Sequence, residues 1–378
     1  MINLLIAGDY SPKNRVIAEI ERNNAGIIFE EIAELTSQVD YSIVNFESAV
    51  ADETDYPIEK AGVNLCCTAP AVKALRNAGF DMVTLANNHF YDFGESSIVK
   101  SLELFETCGL DYVGAGINIE EAAKTFYKEI KDKKIAFISC CEHEFTIATK
   151  EQGGSNPLNP IQQFYAIRDA KENADFVIVI VHGGHEHFQL PSPRMKELYR
   201  FFIDSGADAV VNHHQHCFSG YEYYKNRPIF YGLGNFCFDE PNHFSKHWNE
   251  GVVLQLTLCD DKISHILYPI IQCKEEPTIK LIHDQTNFKT RIAELNQIIS
   301  DDELLENKIK EFYNSSGKFA LSIFVPYTNR YFFSAWVHGL LPSFMNRSKM
   351  LRAYNHLFCE SHLDRLKTCV NNCLNNNK

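Results

Sequence analysis

Short runs of apolar, β-branched and aromatic residues alternate with amphipathic helical stretches as far as about residue 270. The runs predict strands over residues 2–7, 41–45, 81–86, 134–139, 176–181, 209–212, 228–231, 251–258 and 263–271. The spacing of apolar positions between them predicts helices that include residues 70–78, 95–108, 161–173 and 192–205. This alternation is typical of an α/β fold in which much of the sheet is buried between helices.

The pattern changes after about residue 283. A charged helical pattern over 288–312 is followed by an aromatic and apolar stretch over 319–345, and then by an amphipathic pattern over 350–374. We therefore predict a main domain over residues 1–283 and a helical C-terminal extension over residues 284–378. The aromatic stretch is expected to pack on the main domain, and the alternatives are contact with a membrane or with a protein partner.

Composition and charge mainly exclude classes of partner and location. The 378 residues carry 36 Lys and Arg against 49 Asp and Glu, a formal net charge of −13, so we expect no nucleic-acid partner. The first apolar run is too short for a signal peptide, and no run is long enough for a transmembrane segment. We therefore predict a cytoplasmic protein, with peripheral membrane association left open. The 12 Cys residues form no zinc cage and are expected to be reduced.

Five polar segments follow predicted strands, at the place where open α/β sheets bind their ligands. They lie at residues 8–9, 45–47, 87–92, 182–186 and 213–216. Imidazole and carboxylate groups without thiolate favour Mn, Fe or Zn in a reactive site over a structural zinc cage. Each segment alone also has a structural explanation, such as a turn at Asp9 or a hydrogen-bonded imidazole at His182. Together they indicate a site where two metals share a carboxylate and activate a water molecule.

In order and spacing, these segments resemble the CapA-type capsule biosynthesis proteins, which are linked to poly-γ-glutamate capsule and share the calcineurin-like metallophosphatase fold. The resemblance covers about residues 1–270 and implies a four-layer α/β/β/α sandwich. The matching text is Gly8-Asp9, Asn45-Phe46-Glu47, Ala86-Asn87-Asn88-His89 with Asp92 and Gly94, His182-x-Gly184-x-Glu186, His213-His214-Gln215-His216 and the run over residues 228–239.

The resemblance also implies site residues and two divalent transition-metal ions (Mn, Fe or Zn). Glu47 would bridge the ions, and the other implied ligands are Asp9 to the first ion, Asn88 and His182 to the second, and His214 and His216 with one ion each. His89 would act as general acid or transition-state donor, with Asp92 accepting its other N–H. The residues implied to line the pocket, as substrate contacts or as support for the ligands, are Asn45, Glu186, His213 and Asn235.

Three positions depart from the family pattern. Ser11 stands where His is usual, which would leave one metal position a ligand short. Gly183 replaces the usual Trp, which would enlarge or loosen the pocket wall, and Gln215 replaces the usual Pro. These departures affect the identity of the substrate more than metal binding.

The predicted function is a metal-dependent hydrolase, phosphatase-like or phosphodiesterase-like, in capsule or surface-polysaccharide biosynthesis. Its substrate would be an anionic polymer or a phosphorylated or amidated small molecule, with Lys13 and Arg15 offsetting the acidic balance. Two alternatives stay open. One is a non-catalytic or metal-binding assembly subunit of a capsule polymer synthase that docks capsule synthesis enzymes through the C-terminal helices. The other is a metal-dependent transferase or amide-forming enzyme.

Overall fold

Strands and helices alternate along the chain in a computed structural model that describes residues 1–260, 262–320, 326–327, 329–342 and 346–358 and the single residues 362, 366 and 370. Its strands are β1 (Ile2–Tyr10), β2 (Tyr41–Phe46), β3 (Ala49–Val50), β4 (Cys66–Cys67), β5 (Met82–Thr84), β6 (Asp111–Val113), β7 (Ala115–Gly116), β8 (Phe126–Ile130), β9 (Lys133–Cys141), β10 (Gly154–Ser155), β11 (Phe176–His182), β12 (Ala209–His213), β13 (Tyr221–Tyr224), β14 (Arg227–Phe230), β15 (Asn235–Cys237), β16 (Glu250–Leu258), β17 (Ile263–Gln272) and β18 (Ile279–Leu281). Its helices are α1 (Arg15–Glu21), α2 (Ala25–Thr36), α3 (Ala69–Asn77), α4 (Gly94–Cys108), α5 (Ile119–Ala122), α6 (Pro160–Asn173), α7 (Pro193–Ser205), α8 (Thr286–Ser300), α9 (Asp302–Ala320), α10 (Arg330–Val337) and α11 (Arg347–Phe358).

Two large sheets carry most of these strands. The first has the order β18-β17-β16-β1-β2-β5-β6, with β15 paired to the end of β1. Its strands β1, β2, β5 and β6 are parallel, whereas β16 to β18 are antiparallel. The second has the order β13-β14-β12-β11-β9-β8, with a parallel centre and an antiparallel strand at each edge. The predicted strands are therefore confirmed, apart from shifts at their ends.

The order of layers follows from the alternation of side chains along the strands. Ile6 on β1 and Ile180 on β11 lie in one apolar cluster between the two sheets. Leu5 points to the opposite face of the first sheet and packs with side chains of α1 to α4. Val179 does the same on the second sheet, with α6, α7 and α8. Because successive residues of a strand face opposite sides, both sheets are buried on both faces. The predicted α/β/β/α sandwich is confirmed.

Local signals set the helix boundaries. Asn159 caps α6 by accepting hydrogen bonds from the first-turn N–H groups, and Pro160 occupies the first helical turn. Ser192 and Pro193 play the same parts in α7. At the other end of a helix, Gly109 adopts the left-handed conformation that ends α4, with φ of 69°. The predicted helices at 70–78, 95–108, 161–173 and 192–205 therefore agree with the structure within one residue at each end.

The chain divides into two compact units, Met1–Glu306 and Asn307–Lys378. The first unit continues past residue 283, where the sequence placed the end of the main domain, because α8 buries Leu295 and Ile299 against the second sheet. The predicted helical stretch over 288–312 is interrupted at Asp301, between α8 and α9.

In the second unit, α10 buries none of the residues that the structure describes in it. Parts of the aromatic stretch (321–325, 328 and 343–345) and most of the predicted helix after residue 358 lie outside the described residues. Among the helices that are described, none combines the length and apolar character needed to cross a membrane.

Candidate metal centre

Side chains from both sheets meet at the carboxyl ends of the parallel strands. Asp9 lies near the end of β1, and Glu47 directly follows β2. Asn88 and His89 follow β5, His182 ends β11, and His214 and His216 follow β12. The five polar segments are far apart in sequence, and the packing of the two sheets brings them together. Every one of these seven side chains is at least nine-tenths buried.

Two groups of three side chains each offer ligand atoms that lie within 4.8 Å of one another. The first group is Glu47, His182 and His214, and the second is Asp9, Glu47 and His216. Each group is a candidate metal site of the carboxylate and imidazole type. Glu47 belongs to both groups, so its carboxylate would be shared if both sites held a cation.

The surroundings of Glu47 test whether these residues fit a cation. Among the described residues, neither Glu47 oxygen has a hydrogen-bond partner, although the side chain is fully buried. Imidazole Nε2 atoms stand around its Oε1 at 3.7 Å from His182, 3.8 Å from His89 and 3.8 Å from His216. Burial raises the pKa of Glu47 well above its usual value, with the charge of His216 opposing and that of Asp9 adding. An unpartnered buried carboxylate is costly, and a bound cation removes that cost, so the residues fit a metal.

Asp9 is held among hydrogen-bond donors. Its Oδ1 accepts from Asn45 Nδ2 at 2.8 Å, and His213 Nδ1 lies 3.4 Å from the same oxygen. His216 Nδ1 lies 3.5 Å from Oδ2. Burial alone would raise the pKa of Asp9, but the hydrogen bonds of His213 and His216 hold it well below its usual range. Burial likewise opposes charge on His216, yet the carboxylates of Glu47 and Asp9 raise its pKa to about 9.

The other group is built around His182. Its Nε2 lies 3.0 Å from Asn88 Oδ1 and 3.0 Å from His214 Nδ1, and its Nδ1 lies 3.2 Å from Asn45 Nδ2. Burial lowers the pKa of both His182 and His214, and the neighbouring imidazoles lower it further. The neutral imidazole is the form that binds metals. Asn88 Oδ1 and His214 Nδ1 therefore both lie next to His182 Nε2.

The backbone after β12 is turned so that alternate side chains enter the site. His214 and His216 have positive φ angles of 91° and 53°. Such angles are uncommon outside glycine and cluster at functional sites. Gln215, between them, turns away, and its Nε2 contacts the Leu190 carbonyl at 3.4 Å. The positive φ angles therefore accompany the placement of both imidazoles on the same centre.

His89 and Asp92 form a hydrogen-bonded pair beside this centre. His89 Nδ1 lies 2.7 Å from Asp92 Oδ2, and because a carboxylate only accepts hydrogen bonds, the Nδ1 proton is assigned to His89. The opposite nitrogen, Nε2, faces Glu47. Asn87 fixes the turn, since its side chain accepts from the His89 N–H at 3.0 Å and donates to the Phe46 carbonyl at 2.8 Å.

The four residues implied to line the pocket differ in burial. Three are buried against ligand side chains, and these are Asn45, His213 and Asn235. Asn235 Oδ1 lies 2.9 Å from His216 Nδ1, and its amide donates to the Trp248 carbonyl at 3.1 Å. Glu186 is different, because half of its side chain is exposed. Burial would raise the pKa of Glu186, but the charges of His216 and His214 lower it.

The structure shows the neighbours of the residues that depart from the family pattern. Ser11 Oγ lies 2.9 Å from Ser48 Oγ, and Ser11 belongs to neither ligand group. A Cβ atom at Gly183 would press on the side chain of Glu142, so Glu142 fills the space expected to be open there.

Lys13 and Arg15 were expected to offset the acidic balance at the site, but both pair with acids. Lys13 pairs with Glu240 and Arg15 pairs with Asp239.

Sequence reasoning missed three contributors to the site. Lys60, from the loop between β3 and β4, is buried against Asp92. Glu144 lies 3.3 Å from the Asn88 amide, and His243 stacks on Trp248 with ring centroids 3.8 Å apart. All three come from irregular segments, where hydrophobic periodicity carries no information about contacts.

The family model for the bacterial capsule synthesis protein PGA_cap matches residues 3–240, a range that includes every candidate ligand. The chain belongs to this family. The PGA_cap chain is 34% identical over 247 residues to the capsule biosynthesis protein CapA of Bacillus anthracis, covering 63% of this chain and 60% of the relative. It is 31% identical over 243 residues to the PGA biosynthesis protein CapA of Bacillus subtilis (strain 168), covering 64% of each. The PGA_cap chain thus spans less than two thirds of the length of these relatives.

Similarity to solved structures is weaker. A putative 5'-nucleotidase from Staphylococcus aureus is 14% identical, with a TM-score of 0.47, and the match covers 77% of the PGA_cap chain and 58% of that protein. A phosphatase from Mycoplasma pneumoniae is 15% identical, with a TM-score of 0.45, covering 72% and 95%.

Proposed function

We propose that this PGA_cap protein is a metal-dependent hydrolase with a dinuclear centre of Mn, Fe or Zn, which cleaves a phosphoester during capsule or surface-polysaccharide biosynthesis. An anionic polymer or a phosphorylated small molecule is the proposed substrate, and an amide or ester bond is the alternative target. The names of the two Bacillus relatives support the biological setting, since both refer to capsule or PGA biosynthesis.

One observation carries the proposal: Glu47 is fully buried, unpartnered among the described residues, and shared by two ligand groups. Such a carboxylate is better explained by two bound cations than by a purely structural role, because no hydrogen-bond donor among the described residues satisfies either oxygen. The chemistry that divalent ions supply when bound there is polarisation of the substrate and activation of a water molecule.

The side chains of the two groups would act as the metal ligands. Asp9 and His216 on one side of Glu47, and His182 and His214 on the other, would hold the two cations. Asn88 would join the second set, since its Oδ1 already faces the same nitrogen as His214.

The neighbouring side chains would position the substrate and these ligands. When protonated on both nitrogens, His89 would donate a proton or a hydrogen bond from Nε2, and Asp92 would keep the Nδ1–H in place after the donation, which leaves the neutral Nδ1–H tautomer. Asn45 and Asn235 would orient Asp9 and His216, as outer hydrogen-bond partners of ligands commonly do.

Metal analysis of the purified protein tests the ligand assignment. We expect about one to two equivalents of transition metal in the wild type, since two ligand groups are present. The double variant His214→Ala/His216→Ala should lose most of it. His265→Ala is the matched control, because His265 lies on β17 and contacts Tyr223 instead of the centre. Unchanged metal content in the double variant would overturn the assignment.

A substrate screen tests the reaction. Metal-loaded protein would be assayed with model phosphomonoesters, phosphodiesters and γ-glutamyl amides, with His214→Ala/His216→Ala as the negative control. Phosphoester hydrolysis that the double variant lacks supports the proposal. Turnover of γ-glutamyl amides alone would move the reaction to amide chemistry, and metal binding without any turnover would favour an assembly role.

The C-terminal unit supports assembly as a second candidate function. Residues 307–378 hold ten Lys and Arg against three Asp and Glu, in a chain of net charge −13. Tyr331 and Phe332 on α10 are 67% and 59% exposed, and Leu340 is 76% exposed. Exposed aromatic and apolar side chains of this kind mark interaction surfaces. The proposed partner is an enzyme of capsule synthesis, such as the polymer synthase.

Binding to a purified capsule polymer synthase would test this role. We expect Phe332→Ser to weaken binding by about tenfold, because aromatic anchors dominate interfaces. Tyr223→Ser is the control, since Tyr223 is also exposed but lies on β13 of the first unit. Equal binding of wild type and Phe332→Ser would contradict the assembly role.

A further inference from the structure

Lys60 is a buried cation in a segment without regular secondary structure. It lies in the loop over residues 51–65, between β3 and β4, and its side chain is only 3% exposed. Burying an ammonium group is costly unless it is paired and hydrogen-bonded. The groups that surround Lys60 therefore indicate why the chain keeps a charge there.

The contacts of Lys60 Nζ all fall on one short segment. Nζ forms an ion pair with Asp92 Oδ1. It donates to the Asn88 carbonyl at 3.2 Å, and it lies 3.2 Å from His89 Nδ1. An ammonium group offers several donors around one point, which suits acceptors arranged at different angles. Lys60 thus touches the candidate ligand turn, the candidate acid and the partner of that acid.

The same loop completes the surroundings of Asp92 with backbone groups. The Leu65 N–H donates to Asp92 Oδ2 at 2.7 Å, and the Ile58 N–H donates to the Asp92 carbonyl at 2.9 Å. Asp92 Oδ2 also holds His89. Both carboxylate oxygens of Asp92 are therefore fixed, one by Lys60 and the other by Leu65 and His89. Without Lys60, Oδ1 would lose its only charged partner among the described residues.

We propose that Lys60 is a positioning residue: it holds the Asp92 carboxylate, and through it the plane of the His89 imidazole with Nε2 directed at Glu47. This inference rests on the proposed function, in which His89 donates to the substrate. Lys60 touches none of the five side chains in the two ligand groups, and its contact with Asn88 is to the backbone carbonyl, so its side-chain effect passes through Asp92. The 51–65 loop thus contributes to catalysis without contributing a ligand.

Two readouts test the role, and only one of them needs activity. The first is the tautomer of His89, read from long-range ¹H–¹⁵N spectra of histidine-labelled protein and assigned with His89→Gln. We expect a predominant Nδ1–H form in the wild type and a mixture of tautomers in Lys60→Met. The second is hydrolysis of bis(p-nitrophenyl) phosphate, where Lys60→Met should lower kcat by about tenfold or more with little change in KM or metal content. Lys60→Arg should restore part of kcat.

A matched control separates positioning from simple attachment of the loop. Lys100 on α4 holds the same loop, with Nζ 2.7 Å from Asp52 Oδ2 and 2.7 Å from Asp55 Oδ2, but it does not touch residues 88–92. Lys100→Met should keep the wild-type tautomer and kcat. If Lys100→Met lowers kcat as much as Lys60→Met does, loop attachment explains the effect and the proposal fails.

The charge-balanced variant Lys60→Met/Asp92→Asn covers the case in which an unpaired buried carboxylate unfolds the single variant. Because Asp92→Asn by itself removes the carboxylate that accepts the Nδ1 proton, this single variant is the reference, and the double variant should match it in His89 tautomer and in kcat. A wild-type tautomer in Lys60→Met, or a kcat in the double variant well below that of Asp92→Asn, would overturn the proposal. If no phosphoester is hydrolysed even by the wild type, the proposed function fails, while the tautomer still decides the role of Lys60.

Discussion

At the scale of single residues, the candidate centre combines charged and neutral groups with opposite pKa shifts. Burial raises the pKa of Glu47, whereas hydrogen bonds from imidazoles lower that of Asp9 against the effect of burial. Burial also lowers the pKa of His182 and His214. Perturbed groups gathered in one place are typical of functional sites. Nothing in residue type alone distinguishes Glu47 from the other Glu residues of this chain.

The variant Glu47→Gln tests the bridging position. The amide keeps the shape of the side chain but loses the charge that both ligand groups share, so we expect metal content to fall to about half of the wild-type value or less. Metal content would be measured after gel filtration, together with the melting temperature. Glu186→Gln is the control because that side chain is half exposed and belongs to neither group. Full metal content in Glu47→Gln would rule out a bridging role.

Asn235→Ala tests the orientation of a ligand. The Asn235 side chain contacts His216 Nδ1 through its oxygen and is itself held by its hydrogen bond to the Trp248 carbonyl. Without it, the His216 imidazole would lose its orientation, and we expect metal affinity to fall by about tenfold. Competition with a chelator measures this loss. Asn249→Ala is a suitable comparison, since Asn249 donates to the Gln272 carbonyl at 2.9 Å and lies outside both ligand groups. An equal affinity loss in both variants would indicate general loosening of the fold.

At the scale of elements, the site depends on how closely strand ends approach each other. Asp9 pairs with Asn235 where β15 runs beside the end of β1. The Asp9 N–H donates to the Gly234 carbonyl at 3.1 Å. A Cβ atom at Gly8 would collide with that carbonyl, so only glycine permits this approach. Gly8 lies within β1, and the residue that requires a glycine there is 226 positions away in the chain.

Gly8→Ala should therefore destabilise the protein strongly. The collision involves backbone atoms, which relax less easily than side chains, and we expect a loss of about 3 kcal/mol in the free energy of unfolding. Gly26→Ala in α2 is the matched control, because a Cβ there meets nothing within 4 Å. It should raise the free energy of unfolding by about 0.5–1 kcal/mol through helix propensity and reduced chain entropy. Urea unfolding of both variants measures the difference, and equal stabilities would contradict the proposed close approach.

At the scale of the whole molecule, the packing of the two sheets places the candidate carboxylate ligands of the first sheet beside the candidate imidazole ligands of the second. Ile6 and Ile180 lie in the cluster between the sheets, a few residues before Asp9 and His182. Packing in this layer therefore sets the distance between the carboxylates of the first sheet and the imidazoles of the second. The side chains of this layer are almost fully buried, so a change in their volume is expected to move the two sheets relative to each other.

Ile180→Ala tests this dependence. Removing three buried carbon atoms should cost about 2–5 kcal/mol of unfolding free energy and weaken metal binding, since His182 lies two residues further along β11. Thermal unfolding with and without metal measures both effects. Ile161→Ala, at a position 70% exposed on α6, should change stability by less than about 0.5 kcal/mol. A similar small effect at Ile180 would show that the layer between the sheets is not tightly packed.

The sequence by itself determined the α/β class, the central strands and their bounding helices, because periodicity and caps report local burial and local hydrogen bonding. It also indicated which polar segments follow strands. The tertiary structure decided that Glu47 is shared between two groups, that Lys60 reaches Asp92, and that α8 joins the first unit. These are contacts between distant parts of the chain. Their distances depend on how two sheets pack and on how loops without periodicity cross the strand ends, and no local pattern encodes either.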